Sequence, residues 1–565
     1  MGREIEDATS LPGLLMALAR KAPDRPMLRF HRGGAWRSMP RGAFVQAVAD
    51  CAAGLRAQGV MPGDRVVLVA ENRPEFLIAD NAIMSIGAIT VPTYVTNTVN
   101  DHAHILMDSG ARAAIVSTPA LAARLRQAVP ELELVVCMDD PPEGTLPWAT
   151  LTATPADAAM LMAEVEQIPD GRLACLVYTS GTGGLPRGVM LPHRALLANC
   201  RGLGVLLAQL FAGVEQPVYL SFLPMSHSYE HTVGGFAMPA AGAEVVFSRG
   251  ADKLSAEFTE IRPHIMTTVP RLYEVLRERI AQGVEKAGGL KARLFHRALA
   301  LGMRRLDGPP LGLLERLEDR VLDRLVRRKV AERFGGRVLA MVCGGARLDP
   351  ALSGFFLALG VPVVQGYGQT EAGPVISVNR PWDNDRRSVG RPLDGVEVMV
   401  AEDGELLVRG ELVMLGYWNA ETATLGAMRD GWLHTGDVAE IRDGRIHITD
   451  RKRDFIKLKG GDMVAPAKLE ALLAGEPEVA QAVVGGEGQS GVVALVVPAE
   501  GRPGGNDVAA AVKRVNAQLS PVERIRRTVV LEEPFTVENG LMTPTMKVKR
   551  RQVLEAHRRL LAEPG

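Results

Sequence analysis

The chain reads as an α/β protein. The expected architecture is a large N-terminal domain of βαβ-type sheets with a small antiparallel barrel-like region, followed by a small α+β C-terminal domain. Three observations predict this. Short apolar runs bounded by turns alternate with helical patterns for most of the length. The 565 residues exceed what one hydrophobic core supports. After Gly404 the alternation gives way to short strand-like runs and then a dense charged cluster. The boundary is placed at that cluster, giving domains 1–449 and 450–565.

In chain order, Phe44 to Gln58, Glu75 to Ile86 and Asp101 to Asp108 read as helices. Arg65 to Ala70, Ala113 to Val116 and Leu132 to Val136 read as short buried strands. Leu173 to Val177 is another, feeding a glycine-rich loop. Arg271 to Phe334 is long, charged and helical, and Leu314, Leu317, Val321, Leu325 and Phe334 keep a helical stripe. This segment reads either as an exposed amphipathic helix or as a basic face resting on anionic lipid headgroups. Glu405 to Arg409 and Gly444 to Ile448 read as antiparallel strands. Ala482 to Val484, Val492 to Val497 and a helix from Asp507 to Leu519 supply a small terminal α+β domain.

Composition excludes several function classes. Lys+Arg and Asp+Glu each number 65, so net charge points to neither nucleic acid nor an anionic membrane. With 14 Phe, 7 Tyr and 5 Trp, stacking platforms for single strands are few. The five cysteines are scattered and form no CxxC pair, which predicts neither a disulfide framework nor a zinc site and suits a reducing compartment. Met1 to Asp7 is acidic and lacks an apolar signal region, and the apolar run Pro350 to Val364 is too short to span a bilayer. A cytoplasmic protein is expected, with peripheral membrane contact left open and a monomer or homodimer as the assembly.

The most informative stretch is Tyr178-Thr179-Ser180-Gly181-Thr182-Gly183-Gly184-Leu185-Pro186-Arg187. Glycines let backbone N–H groups converge, hydroxyls add donors, and Arg187 adds charge, which together make a cradle for a polyphosphate. The spacing is not that of the Walker P-loop. Further segments follow in order. Cys343-Gly344-Gly345-Ala346 ends an apolar run. In Gln365-Gly366-Tyr367-Gly368-Gln369-Thr370-Glu371 another strand runs into a loop, where Tyr367 can stack on a base, Thr370 can donate to a phosphate and Glu371 can hold Mg²⁺. Gly431 to Asp437 ends on a two-oxygen acceptor. Arg451 to Gly461 and Leu541 to Arg550 are basic runs that, taken singly, would read as solvated surface.

Together these segments resemble the adenylate-forming, or AMP-binding, superfamily, over nearly the whole chain. The resemblance implies that Thr179, Ser180, Gly181, Thr182, Gly183, Gly184 and Arg187 form the nucleotide loop. Gly344, Gly345 and Ala346 would lie along adenine; Gln365, Gly366, Tyr367, Gly368 and Thr370 would surround adenine and the α-phosphate; Glu371 would be the magnesium ligand. Asp437 would bind the ribose hydroxyls with Arg451 assisting, and Arg453 would be the hinge of a mobile C-terminal domain. Lys457, Gly460 and Gly461 would serve the second half-reaction, and Lys547 would be the catalytic lysine.

Narrower segments are similar to the long-chain fatty acyl-CoA synthetase branch: Ser221 to His231, which contains Leu-Pro-Met-Ser-His, and Arg262 to Glu274, which contains Val-Pro-Arg-Leu-Tyr-Glu. The resemblance places His227 between the nucleotide and acyl sites. The small apolar residues Gly234 to Pro239 suit an acyl-channel wall and ordinary core packing equally. The implied catalytic set is Lys547, Thr370, His227 and Lys457. The implied reaction is ATP-dependent activation of a medium- to long-chain fatty acid to acyl-AMP, then transfer to coenzyme A, giving acyl-CoA, AMP and pyrophosphate. The alternatives are an acyl-AMP ligase loading a carrier protein and a non-catalytic acyl- or nucleotide-binding homologue. Two positions depart from the pattern: Gly183 replaces a second Thr, and Arg187 replaces a Lys.

Overall fold

Alternating strands and helices build two sheets, and the nucleotide-loop motif sits at one end of the smaller. In the computed structural model, residues 3–179, 185–451, 456–460, 462–499, 505–543 and 548–562 are described. The chain forms two units: Met1–Leu348, Ser353–Val398 and Val408–His434; and Asp349–Leu352, Met399–Leu407 and Thr435–Gly565.

In the first unit, an eight-stranded sheet runs in the spatial order Gly416–Tyr417, Arg187–Pro192, Leu173–Thr179, Ile89–Pro92, Arg65–Val69, Ala113–Val116, Leu134–Cys137 and Leu146–Pro147. Its interior pairs are parallel, and the turn between Leu173–Thr179 and Arg187–Pro192 makes an antiparallel end. Such strands are covered on both faces, which is why they read as continuous apolar runs. Helix Pro74–Ser85 is buried on every side, as its Phe76-Leu77-Ile78-Ala79 run requires. Helix Val99–Ser109 is fixed at both ends, by a capping box between Thr98 and Asp101 and by Gly110 at φ +63°. A nine-stranded sheet carries Val218–Ser221, Ile265–Thr268, Ala340–Cys343 and Val363–Gly368 as parallel neighbours of this kind.

The charged segment forms helices Pro270–Ala287, Gly289–Asp307 and Leu313–Leu322. The last continues through a π turn, Asp323–Arg327, into Arg328–Arg333. The apolar stripe does not face the core: of its members only Phe334 is buried, while Leu322, Val326 and Arg327 pack inward.

Five strands between Glu397 and Arg451 form the expected antiparallel region, but as an open sheet that does not close into a barrel. Trp432–Arg442 is long enough to pair along its length with more than one neighbour, so closure is not needed to satisfy its backbone. The terminal domain holds a three-stranded sheet of Val479–Gly485, Val492–Pro498 and Ile525–Val530. Val492, Ala494 and Val496 face a core with helices Pro466–Ala474 and Gly505–Asn516. Val493, Leu495 and Val497 face a second core with Leu531, Phe535 and Val553. The period-two alternation explains how one strand is apolar throughout yet serves two cores. Among the described residues no helix is long and apolar enough to cross a membrane. Pro350 to Val364 divides into helix Pro350–Ala358 and the start of strand Val363–Gly368.

Candidate active site

The nucleotide-loop motif is the connection of a β-hairpin. Val177 pairs with Val189, Tyr178 with Gly188 and Thr179 with Arg187, so Thr179 and Arg187 stand opposite each other at its mouth. Ser180, Gly181, Thr182, Gly183 and Gly184 lie outside the described residues. Gly188 packs closely here, since a Cβ would meet the Tyr178 ring at 3.0 Å. The Tyr178 hydroxyl donates to Asp108 Oδ2 at 2.6 Å. Burial and the Asp108 carboxylate push this phenol well above its ordinary range. Asp108 also accepts, at its carbonyl, from Trp418 Nε1 (3.0 Å) and Asn419 Nδ2 (2.9 Å). The hairpin is therefore held by helix Val99–Ser109 on one side and by the segment after Tyr417 on the other.

Tyr417 joins two motifs. Its strand pairs antiparallel with Arg187–Pro192, Tyr417 opposite Val189. The exposed Arg187 guanidinium lies over the Tyr417 ring, 5.6 Å from its centroid. The Tyr417 hydroxyl donates to Glu371 Oε1 at 2.8 Å. Met414 N–H also donates to the Glu371 carbonyl at 2.9 Å. Among the described residues, Oε2 of this half-buried carboxylate accepts no hydrogen bond. No group of three or more His, Cys, Asp or Glu side chains is arranged to hold a metal among the described residues. A single carboxylate with an available oxygen nevertheless fits Mg²⁺, which takes most of its ligands from water and substrate phosphates.

Thr370 precedes Glu371 in a 3₁₀ turn after strand Val363–Gly368. Its buried hydroxyl meets Ser228 Oγ at 2.8 Å. This contact brings the His227 segment to the Thr370 segment. His227 caps the helix Ser228–Thr232: its Nδ1 accepts from Tyr229 N–H at 3.1 Å, which puts the proton of the neutral ring on Nε2. The Tyr94 ring lies 6.4 Å from it. Tyr229 lies against Gly344, where a Cβ would approach its ring to 2.9 Å, and donates to Val342 O at 3.2 Å. Gly345 (φ +77°) and Ala346 follow, both exposed. Gln365 is buried, Gly366 and Tyr367 are half-buried, and Gly368 is exposed, its missing Cβ avoiding the Pro374 carbonyl at 1.9 Å. A continuous run of contacts thus links Arg187, Tyr417, Glu371, Thr370, Ser228, Tyr229 and Gly344.

The segment Gly234 to Pro239 is buried throughout, with Val233–Ala237 as a π turn. A Cβ at Gly234 would meet the Glu230 carboxylate at 2.5 Å. Glu230 is fully buried and accepts from Tyr219 OH (2.7 Å), Ser221 Oγ (2.7 Å) and Thr267 Oγ1 (2.5 Å). Burial, opposed by these three donors, pushes its pKa up to about 7.

In the second unit, Asp437 is buried and pairs across the strands with Arg451, the last residue of Arg445–Arg451. Asp437 N–H donates to Thr435 Oγ1 at 3.1 Å, and the Thr435 hydroxyl donates to Leu406 O at 2.7 Å. Lys457 is exposed, its N–H donating to Glu487 Oε2 at 2.9 Å, and Gly460 is exposed in a turn. Arg453, Gly461 and Lys547 lie outside the described residues.

Sequence reading missed Tyr417, Asp108 and Ser228. The aromatic pair Tyr417-Trp418 directly after a glycine was the available signal for the first. Nothing local marks Asp108, whose role depends on a partner 70 residues away.

Residues 16–418 match the AMP-binding enzyme family, and residues 453–563 match the AMP-binding enzyme C-terminal domain. The long-chain-fatty-acid–CoA ligase FadD15 of Mycobacterium tuberculosis is 33% identical over 566 residues, covering 95% of this chain and 94% of that protein. The peroxisomal long chain acyl-CoA synthetase 6 of Arabidopsis thaliana is 32% identical over 576 residues, covering 92% and 80%. The anthranilate CoA ligase AuaEII in complex with anthranoyl-AMP shares the fold, with a TM-score of 0.75, 22% identity and coverage of 97% and 98%. So does the O-succinylbenzoate coenzyme A synthetase of Bacillus subtilis in complex with ATP and magnesium ion, with a TM-score of 0.71, 21% identity and coverage of 95% and 98%.

Proposed function

The chain belongs to the AMP-binding enzyme family, and from that premise we propose that it is an ATP-dependent fatty acid–CoA ligase acting on medium- to long-chain acids. The observation that carries this reading is the run of contacts from Arg187 through Tyr417, Glu371 and Thr370 to the His227 segment. It gathers a phosphate-binding cation, a carboxylate with an available oxygen and a hydroxyl donor beside a half-buried imidazole.

In the first step an oxygen of the fatty carboxylate attacks the α-phosphorus of ATP, and the bond to the pyrophosphate oxygen breaks. Arg187 and the loop from Thr179 to Gly184 hold the departing phosphates. Thr370 donates to the α-phosphate, and Lys547 draws the attacking carboxylate to phosphorus and offsets charge in the transition state. Glu371 would hold Mg²⁺, which when bound neutralises phosphate charge. Asp437, with Arg451, takes the ribose hydroxyls. His227 stands at the acyl side. In the second step the domain beginning at residue 450 turns about Arg453, and Lys457 with Gly460 and Gly461 faces the reaction. The CoA sulfur then attacks the acyl carbon, giving thioester and AMP. The five buried, unbridged cysteines support a reducing, cytoplasmic setting.

Pyrophosphate release measured across acetate, octanoate, palmitate and an aryl acid, with and without CoA, tests the reading. Release with octanoate or palmitate, and thioester only when CoA is present, is expected. Thioester on a phosphopantetheinylated carrier in place of CoA overturns the acceptor, and no release with any acid overturns the activity. Lys547→Ala should abolish acyl-AMP formation while supplied acyl-AMP and CoA still react.

A further inference from the structure

The helix from Leu313 to Arg333 presents to solvent the face that its periodicity would place in a core. Leu313, Leu314, Leu317, Val321 and Leu325 are 45–83% exposed. Their spacing of three and four residues keeps them on one side of the helix. Beside them runs a second row at four-residue spacing: Arg316, Arg320, Arg324 and Arg328, all exposed.

Glu315, Glu318 and Asp319 are engaged by arginines outside that row. Glu315 pairs with Arg304, Glu318 with Arg297 at 2.7 Å, and Asp319 with Arg305 at 3.1 Å and the buried Arg327 at 2.7 Å. Asp323 lies 3.8 Å from Arg328. Arg316, Arg320, Arg324, Lys329 and Arg333 enter no ion pair among the described residues, and Glu332 is the exposed acid near the C-terminal end. The inward face is anchored independently. Leu322 and Val326 pack with Phe295 and Leu301, and Arg327 donates to the carbonyls of Ala358 (2.8 Å) and Ala298 (2.9 Å). The outward leucines are therefore not needed to hold the helix in place.

We propose that this face, the Leu314–Leu317–Val321–Leu325 row with its arginine row, is a docking surface for an anionic lipid bilayer. Charge complementarity selects that occupant. An apolar row beside arginines of which Arg316, Arg320 and Arg324 enter no ion pair among the described residues matches the boundary between acyl chains and anionic headgroups, with the leucines below the phosphates and the guanidinium groups among them. A two-fold contact with a second copy would set the arginine row against an identical one. A nucleic acid would leave the leucines uncovered.

The test is flotation of the full chain with vesicles of phosphatidylcholine containing about one-third phosphatidylglycerol, and with phosphatidylcholine alone. No ATP, CoA or fatty acid is added, so the outcome is independent of the ligase reading. The wild type should float with the anionic vesicles and lose binding in high salt. Arg320→Gln with Arg324→Gln should weaken partitioning about thirty-fold, as should Leu317→Ser with Val321→Ser. Thermal melting of both variants should match the wild type, since no altered residue packs inward. The inference is overturned if the wild type does not bind anionic vesicles, or if neither double variant weakens binding. It is also overturned if Leu317→Ser with Val321→Ser splits a dimer, read by light scattering, while vesicle binding is unchanged.

Discussion

Glu371 and Glu230 both accept a hydrogen bond from a tyrosine hydroxyl, Tyr417 at 2.8 Å and Tyr219 at 2.7 Å, and there the likeness ends. Glu230 is 0% exposed and is also met by Ser221 and Thr267, so its acceptor capacity is spent inside the protein. Glu371 is half-buried and keeps one oxygen without a hydrogen bond among the described residues. A carboxylate ringed by donors ties strands together, whereas one with an available oxygen beside a cation can meet a metal and a phosphate. The difference fits the role in the chemistry proposed for Glu371 and a positioning role for Glu230, through Ser221 and Thr267 on strands Val218–Ser221 and Ile265–Thr268.

The largest effect should follow from Glu371→Gln. Loss of the charge should cut pyrophosphate release by about 10²–10³-fold, the scale seen when one transition-state charge stabiliser is removed. The melting temperature should stay within a degree or two, because the substitution is isosteric and the site half-open. Near-normal release with a clearly lowered melting temperature would reverse the two assignments.

Glu230→Gln should act on stability instead. Its folded-state pKa, about 7, is raised above the ordinary value of 4.5, so the proton is held more tightly in the native state. The stabilisation is complete below pH 4.5 and is lost as pH rises through 7. Glutamine keeps its acceptor and never ionises. The stability of Glu230→Gln relative to wild type should therefore rise by on the order of 3 kcal/mol between pH 4.5 and pH 8, measured by urea unfolding. A pH-independent difference would mean that Glu230 is not the buried acid its surroundings require.

These two glutamates also mark how far the sequence could be read. The placement of Glu371 after a strand was legible because its motif is a consecutive strand and loop, and local order places the residues. Glu230 lies within the Ser221 to His231 segment, but its burial depends on hydroxyls from Tyr219, Ser221 and Thr267, up to 37 residues away. Tyr417 reaches Glu371 over 46 residues only because its strand joins the hairpin. The helix at Leu313 shows the same limit in packing. Periodicity revealed two faces, but which one is covered was decided by Arg327 and Asp319, whose burial depends on their mutual pairing and on two carbonyls from other segments. The barrel-like closure failed for a related reason, since strand count and alternation do not specify which edges meet.

Tyr417→Phe should have an intermediate effect. It keeps the ring beneath Arg187 and removes one hydrogen bond to a carboxylate, so release should fall about tenfold with little change in stability. Equal loss in the Glu371→Gln background would show that the hydroxyl does not act through Glu371.

Arg187→Lys should give the smallest change and the sharpest view of the corner. The planar guanidinium can lie over Tyr417 and still point donors at a phosphate, while a lysine ammonium keeps the charge but loses the stacking plane. That stacking at an exposed site is worth about 0.5–1 kcal/mol, so the KM for ATP should rise about threefold with kcat unchanged. The substitution also restores the lysine usual at this position, so an improved KM would show that the arginine is a cost borne by this chain. The cycle with Tyr417→Leu separates the two outcomes. If Arg187 is held by the ring, Arg187→Lys should have no further effect once the ring is gone. An undiminished threefold effect in that background would place the preference in the loop itself, at the position where Gly183 stands in for threonine.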